Sequence, residues 1–291
     1  MSGWYEFGGA RLSYRDAGSG RPIVFLHPTP LNGAFWQPLL DELDELEGVG
    51  VRAIVPDLRG HGLSELGAAL PVGGFSRVPT APVLTMEQLA SDVIALLDHL
   101  QIQDAAFAGC SIGGYVLLEL WRRIPERMVA LAFVCSKPQA DAEAVLQKRA
   151  ANIAQIQAGG TAALFDGMAR SLVGATARAR RSEILDELRA HMTLTPETAI
   201  AVQAGLALRP DSVATVGTIT VPVLAIAGGE DPACTPAEVE AFRAAPGGCS
   251  YHLLPDAGHF AAYEQPGKVA GLLAGWAPCG AVRRGGPLAR Q

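Results

Sequence analysis

Short, continuous apolar runs recur along the chain at Ala53–Val55, Ala105–Ala108, Leu131–Cys135, Val223–Ala227 and Tyr251–Leu254. Runs of this length, without apolar/polar alternation, predict strands covered on both faces. Amphipathic stretches lie between them: Met86–Leu100, with Leu89, Val93, Leu96, Leu97 and Leu100 on one helical face, and Tyr115–Ile124. Alternating strands and helices predict a mostly parallel α/β sheet. Ahead of it, Trp4–Phe7, Leu12–Asp16 and Ile23–Leu26 are short extended segments separated by glycine-rich turns, which predict an antiparallel lead-in.

From Lys137 to about Val216 the strand signals stop. Four helical segments are predicted there, broken by Gly159-Gly160, by Gly174 and by a turn around Thr193. Thr195-Pro196 suits the start of the fourth, because threonine caps free amides and proline at the first helical position loses no needed donor. The organisation expected is a core in residues 1–136, a helical cap at 137–216, the rest of the core at 217–278 and a disordered Gly/Arg-rich tail at 279–291. A Pro/Gly-rich loop, Ala68–Pro82, is placed to edge a functional site.

Composition narrows the classes. The 291 residues, 49% hydrophobic and 18% charged, suffice for one large core with an elaboration and exclude general disorder. Lys and Arg number 23 against 29 Asp and Glu, for a formal charge of −6, so there is no basic footprint for nucleic acid or an anionic membrane. The five cysteines are odd in number, scattered and without zinc-ligand spacing, which predicts a reducing compartment and no structural metal. The N-terminus lacks the charged and apolar regions of a secretory signal, and no apolar stretch is long enough for a bilayer. The expectation is a cytoplasmic protein.

The segment Ala108-Gly109-Cys110-Ser111-Ile112-Gly113-Gly114 follows an apolar run and opens a helix, the setting that a G-x-S-x-G nucleophile elbow requires. Such a turn closes only if the residues two before and two after the serine are small, here Gly109 and Gly113. The hydroxyl would stand beside a helix N-terminus, whose free amides favour developing negative charge. The rival frame, with Cys110 as nucleophile, puts a β-branched Ile112 at a position of close approach, so Ser111 is preferred.

A serine alcohol needs a base, and the base needs an orienting group. Among His27, His61, His99, His191, His252 and His259, only His259 follows the last strand on a loop, in Pro255-Asp256-Ala257-Gly258-His259. The acid is expected between serine and histidine in chain order, on Gly228-Gly229-Glu230-Asp231-Pro232. Asp231 fits best and Glu230 is its alternative. Asp57 precedes the serine and is better suited to organising its own turn.

These residues resemble the α/β-hydrolase superfamily from about Tyr5 to Trp276. The resemblance is carried by Phe25-Leu26-His27-Pro28-Thr29-Pro30, Asp57-Leu58-Arg59-Gly60-His61-Gly62-Leu63-Ser64, the elbow, Gly228-Gly229-Glu230-Asp231 and Asp256-Ala257-Gly258-His259. It implies an α/β-hydrolase fold: a mostly parallel eight-stranded sheet flanked by helices, with a four-helix cap inserted after strand 6. It also implies oxyanion-hole amides at Thr29 and Ile112, although Pro28 replaces the glycine usual after the histidine and has no amide to offer.

The elbow, the acid loop and LPDAGHFAAYEQP look most like 3-oxoadipate enol-lactonases and small carboxylesterases. What this implies is a serine hydrolase acting on a small-molecule ester or lactone through an acyl-enzyme on Ser111, with a Ser-His-Asp triad and no cofactor. The same triad serves C–C bond hydrolases, thioesterases and cofactor-free haloperoxidases, and the fold also serves as a non-catalytic ligand receptor. In the insert, Leu164, Phe165, Met168 and Leu172 form an apolar stripe. Arg178, Arg180 and Arg181 are read as a solvated face in preference to a substrate clamp, and Trp36 as either pocket wall or core.

Overall fold

The computed structural model describes residues 2–46, 50–67, 72–75 and 78–276. Its main sheet contains β1 (Ser2–Phe7), β2 (Ala10–Gly18), β3 (Arg21–Leu26), β4 (Val51–Pro56), β5 (Ala105–Cys110), β6 (Met128–Val134), β7 (Val223–Gly228) and β8 (Cys249–Leu254). The spatial order is β1-β2-β4-β3-β5-β6-β7-β8. β1 with β2 and β2 with β4 pair antiparallel, and every later pair is parallel. The antiparallel lead-in and the parallel core are both present.

The central strands bury alternate residues in two different cores, which explains their unbroken apolar runs. Phe107, Leu131, Phe133, Val223 and Ala225 face one layer, with α2 (Met86–His99) and α3 (Ile112–Arg123). Ala106, Ala108, Ala132, Val134, Leu224 and Ile226 face the other, with α1 (Gln37–Glu45) and the helix Pro266–Ala274. Removing each large apolar side chain from water contributes roughly 1.5–3 kcal/mol, and this holds both layers against the sheet. Trp36 belongs to the second core: it is fully buried, edge-on to Phe35 with ring centroids 4.9 Å apart.

After β6 come α4 (Glu143–Gly159), α5 (Ala162–Leu172), α6 (Ala175–Arg180), α7 (Ile184–Ala190) and α8 (Pro196–Ala207). The third predicted helical segment is thus two short helices. Arg181 is extended at the break and turns back to donate to the Tyr263 carbonyl. Thr195 caps α8 as expected, its hydroxyl accepting from the Thr198 amide at 3.2 Å.

Within the Ala68–Pro82 loop, Val72–Phe75 pairs antiparallel with Val78–Pro82. Ala81 and Val83 pack with Ile153 of α4 and Ala204 of α8, so the described part of this segment props up helices above the sheet. The predicted tail at 279–291 lies outside the described residues, as does Cys279. No helix among the described residues is long and apolar enough to cross a membrane.

Candidate active site

Ser111 sits between β5 and α3 with φ 54° and ψ −118°, a left-handed conformation that L residues adopt only under constraint. The constraint is visible on both sides. A Cβ on Gly109 would lie 2.5 Å from the Gly113 carbonyl carbon, and one on Gly113 would lie 2.2 Å from the Leu26 carbonyl oxygen. The helix can therefore cross the strand this closely only with glycine at both positions. The buried Ser136 hydroxyl donates to the Ser111 carbonyl at 3.0 Å, and the Ser111 amide donates to Val134 at 3.1 Å.

His259 and Asp231 come from the loops after β8 and β7. His259 Nδ1 donates to Asp231 Oδ2 at 2.8 Å, with both residues buried. The other carboxylate oxygen of Asp231 accepts the amides of Ala233 at 2.7 Å and Cys234 at 3.1 Å, so the acid is clamped by its own loop. Glu230 turns the other way. Its carboxylate accepts the Thr176 hydroxyl at 2.5 Å and the Thr176 amide at 2.9 Å, which joins the acid loop to α6. Asp57 accepts the amides of Gly33 and Leu63 and the Ser13 hydroxyl, and so organises its turn.

Ser111 and His259 border one cavity of about 960 Å³, with Thr29 on its wall. Among the described residues the amides of Thr29 and Ile112 have no acceptor. Cys110 is buried away from the cavity: its thiol points to the His259 carbonyl, 3.7 Å off, and burial pushes its pKa well up. Of the apolar stripe, Leu164, Met168 and Leu172 line the cavity, whereas Phe165 is packed into the core. Arg178, Arg180 and Arg181 stay outside it, held by Val173, Asp256 and Tyr263 respectively.

Three supports escaped the sequence reading. Glu264 is buried, and its carboxylate accepts the amides of Gly258 at 2.8 Å, Phe260 at 3.1 Å and Gly174 at 3.1 Å. It thereby grips the backbone on both sides of His259 and the start of α6; burial raises its pKa against the pull of these amides. His27 and His61 support Thr29. His61 Nδ1 donates to the Arg59 carbonyl at 3.0 Å, which leaves Nε2 to accept the Thr29 hydroxyl at 3.0 Å. Burial, then the neighbouring His27, brings the pKa of His61 down to about 3. His27 donates from Nδ1 to the Pro28 carbonyl and accepts the Leu58 amide at Nε2; burial lowers its pKa too. The signal available was the position of these histidines, His27 directly after β3 and His61 in the loop after β4, but no spacing rule marks a histidine as a loop brace.

Asp231, Cys234 and His259 also present donor atoms within 4.8 Å of one another. Their chemistry does not suit an ion. Both oxygens of Asp231 are engaged in hydrogen bonds, and burial pushes the Cys234 thiol up to about 12, far from the thiolate that a metal needs.

Known proteins share this fold. The model of the Alpha/beta hydrolase family matches residues 23–272. The chain is 30% identical over 237 residues to 3-oxoadipate enol-lactonase 2 of Acinetobacter baylyi, covering 78% of each. It superposes on a thermophilic esterase from Thermogutta terrifontis with a TM-score of 0.80 at 28% identity, over 91% of this chain and 92% of that one. With some curated relatives the match is partial: for the non-heme chloroperoxidase CPO-A1 of Kitasatospora aureofaciens, 35% identity over 106 residues spans 36% of this chain and 33% of that protein. On the family match, which runs from within β3 into the last helix and includes the elbow, this chain is a member of the alpha/beta hydrolase family.

Proposed function

We propose that the protein hydrolyses carboxylic esters or lactones by two-step acyl transfer on Ser111. The observation that carries the reading is the buried His259–Asp231 hydrogen bond of 2.8 Å, on the same cavity as a serine held in a strained elbow. Because Nδ1 is committed to Asp231, the Nε2 of neutral His259 has a free lone pair. It accepts the Ser111 proton as Oγ attacks the carbonyl carbon. The amides of Ile112 and Thr29 receive the oxyanion. Collapse of the tetrahedral intermediate breaks the bond to the leaving oxygen, which takes the proton from His259. Water then attacks the acyl-enzyme, giving its proton to Nε2, and the acid leaves as Ser111 Oγ is reprotonated.

The enol-lactonase and esterase relatives support this substrate class. The test is turnover of a short-chain p-nitrophenyl ester by the wild type and by Ser111→Ala, with an expected loss of ~10⁴ or more in kcat. Undiminished turnover by the variant refutes the assignment.

The chloroperoxidase relative favours a second reading on the same residues, with hydrogen peroxide replacing water. Peroxide-dependent bromination lost in Ser111→Ala would support it.

A further inference from the structure

The cavity has two unlike walls. The stripe Val145, Lys148, Arg149, Asn152 and Gln155 of α4 forms one, at helical spacing and polar from Lys148 onward. Leu164, Met168 and Leu172 of α5 form the other. Lys137, from the carboxyl edge of the sheet, joins the polar side.

Charges on the polar side do not balance. Lys137 is paired with Glu238 at 2.6 Å. Asp141 alone serves two guanidiniums, those of Arg149 and of the buried Arg209, the latter at 2.9 Å. Arg209 is buried outside the cavity lining, its guanidinium carbon 4.1 Å from the ring centre of Tyr115, a lining residue, and its Nε has no acceptor among the described residues. Lys148 has no carboxylate partner among the described residues. Three cations, Lys137, Lys148 and Arg149, thus line the cavity against two carboxylates, Asp141 and Glu238, and Asp141 is shared with Arg209. An anionic group entering the cavity would meet the exposed, unpaired ammonium of Lys148 and the guanidinium of Arg149, and would be drawn in by the field of this surplus positive charge.

We infer that the cavity selects amphipathic esters or lactones in which an apolar chain lies along α5 and an anionic group, such as a second carboxylate, meets Lys148 and Arg149 of α4. This rests on the ester-hydrolase reading above and specifies its substrate. Lys148, at the exposed mouth, is the specificity residue most open to substitution without disturbing the buried Asp141 network.

The test compares mono-p-nitrophenyl suberate with p-nitrophenyl octanoate, which share leaving group and chain length. The kcat/KM ratio of suberate to octanoate should be about 10 or more at low salt and shrink as salt is added. Lys148→Glu should lower that ratio about tenfold, whereas Lys268→Gln, on the helix Pro266–Ala274, should leave it unchanged. A ratio at or below one in the wild type, or one unmoved by Lys148→Glu, overturns the inference. If neither ester turns over, the hydrolase reading fails by itself. Calorimetry on Ser111→Ala then still decides the subsite: tighter binding of monomethyl suberate than of methyl octanoate supports it, and equal or weaker binding overturns it.

Discussion

The amide of His259 donates to the carbonyl of Leu172, the last residue of α5, at 2.8 Å. The backbones meet so closely that a Cβ on Gly258 would lie 2.3 Å from the Gly174 nitrogen. Together with Glu230 on Thr176 and Glu264 on Gly174, this fastens the helices above the cavity to both loops that carry the His259–Asp231 pair. The roof of the cavity and its chemistry therefore share one scaffold.

Glu264 is the clearest place to test that coupling. Glu264→Ala leaves three backbone amides without their acceptor, two of them flanking His259, and should cost about 2–4 kcal/mol of stability together with a fall in kcat. Glu264→Gln keeps one carbonyl oxygen and should fall between the two. Thermal unfolding and ester turnover of the three proteins check this; an alanine variant as stable and active as wild type would show that the carboxylate braces nothing.

The two adjacent acids should separate cleanly. Asp231→Asn disturbs the group that orients His259, with an expected loss of ~10³–10⁴ in kcat. Glu230→Gln touches only the link to Thr176 and should change kcat by less than about fivefold while lowering the unfolding temperature. Steady-state kinetics of the pair decide; similar losses would mean that the roles of these neighbours are misassigned.

Acid sensitivity should trace to the buried imidazoles. In the folded protein His61 titrates at about 3, below its ordinary value of 6.5. Between those values the unfolded chain binds more protons, so stability rises with pH: the contribution is complete above pH 6.5 and is lost progressively as pH falls toward 3. His61 alone should take away about 2 kcal/mol between its ordinary value and about pH 5, with His27 acting in the same direction. Urea unfolding at several pH values should show a shallower decline in His61→Gln than in wild type; identical slopes would exonerate the histidine.

Much of this was legible in the chain because the relevant constraints are local. Two-sided burial makes β5, β6 and β7 continuous apolar runs, and the elbow announces itself through Gly109 and Gly113, whose missing Cβ atoms are a steric necessity. Asp231 and His259 could be read from their places after β7 and β8. What could not be read depends on contacts between distant segments. Glu264 matters through Gly174, 90 residues away, and His61 through Thr29, 32 away. The cationic wall lay hidden for the same reason: Arg178, Arg180 and Arg181 are the conspicuous cluster in sequence, yet folding brings Lys148 and Arg149 to the cavity instead.

Everything proposed for this protein's chemistry depends on Ser111 being the reactive group, and covalent trapping tests that most directly. After brief treatment with a fluorophosphonate, peptide mapping by mass spectrometry should find a single adduct, on Ser111, with none in Ser111→Ala and none in wild type unfolded before treatment. An adduct on Cys110, or equal labelling of Ser111→Ala, would contradict the account.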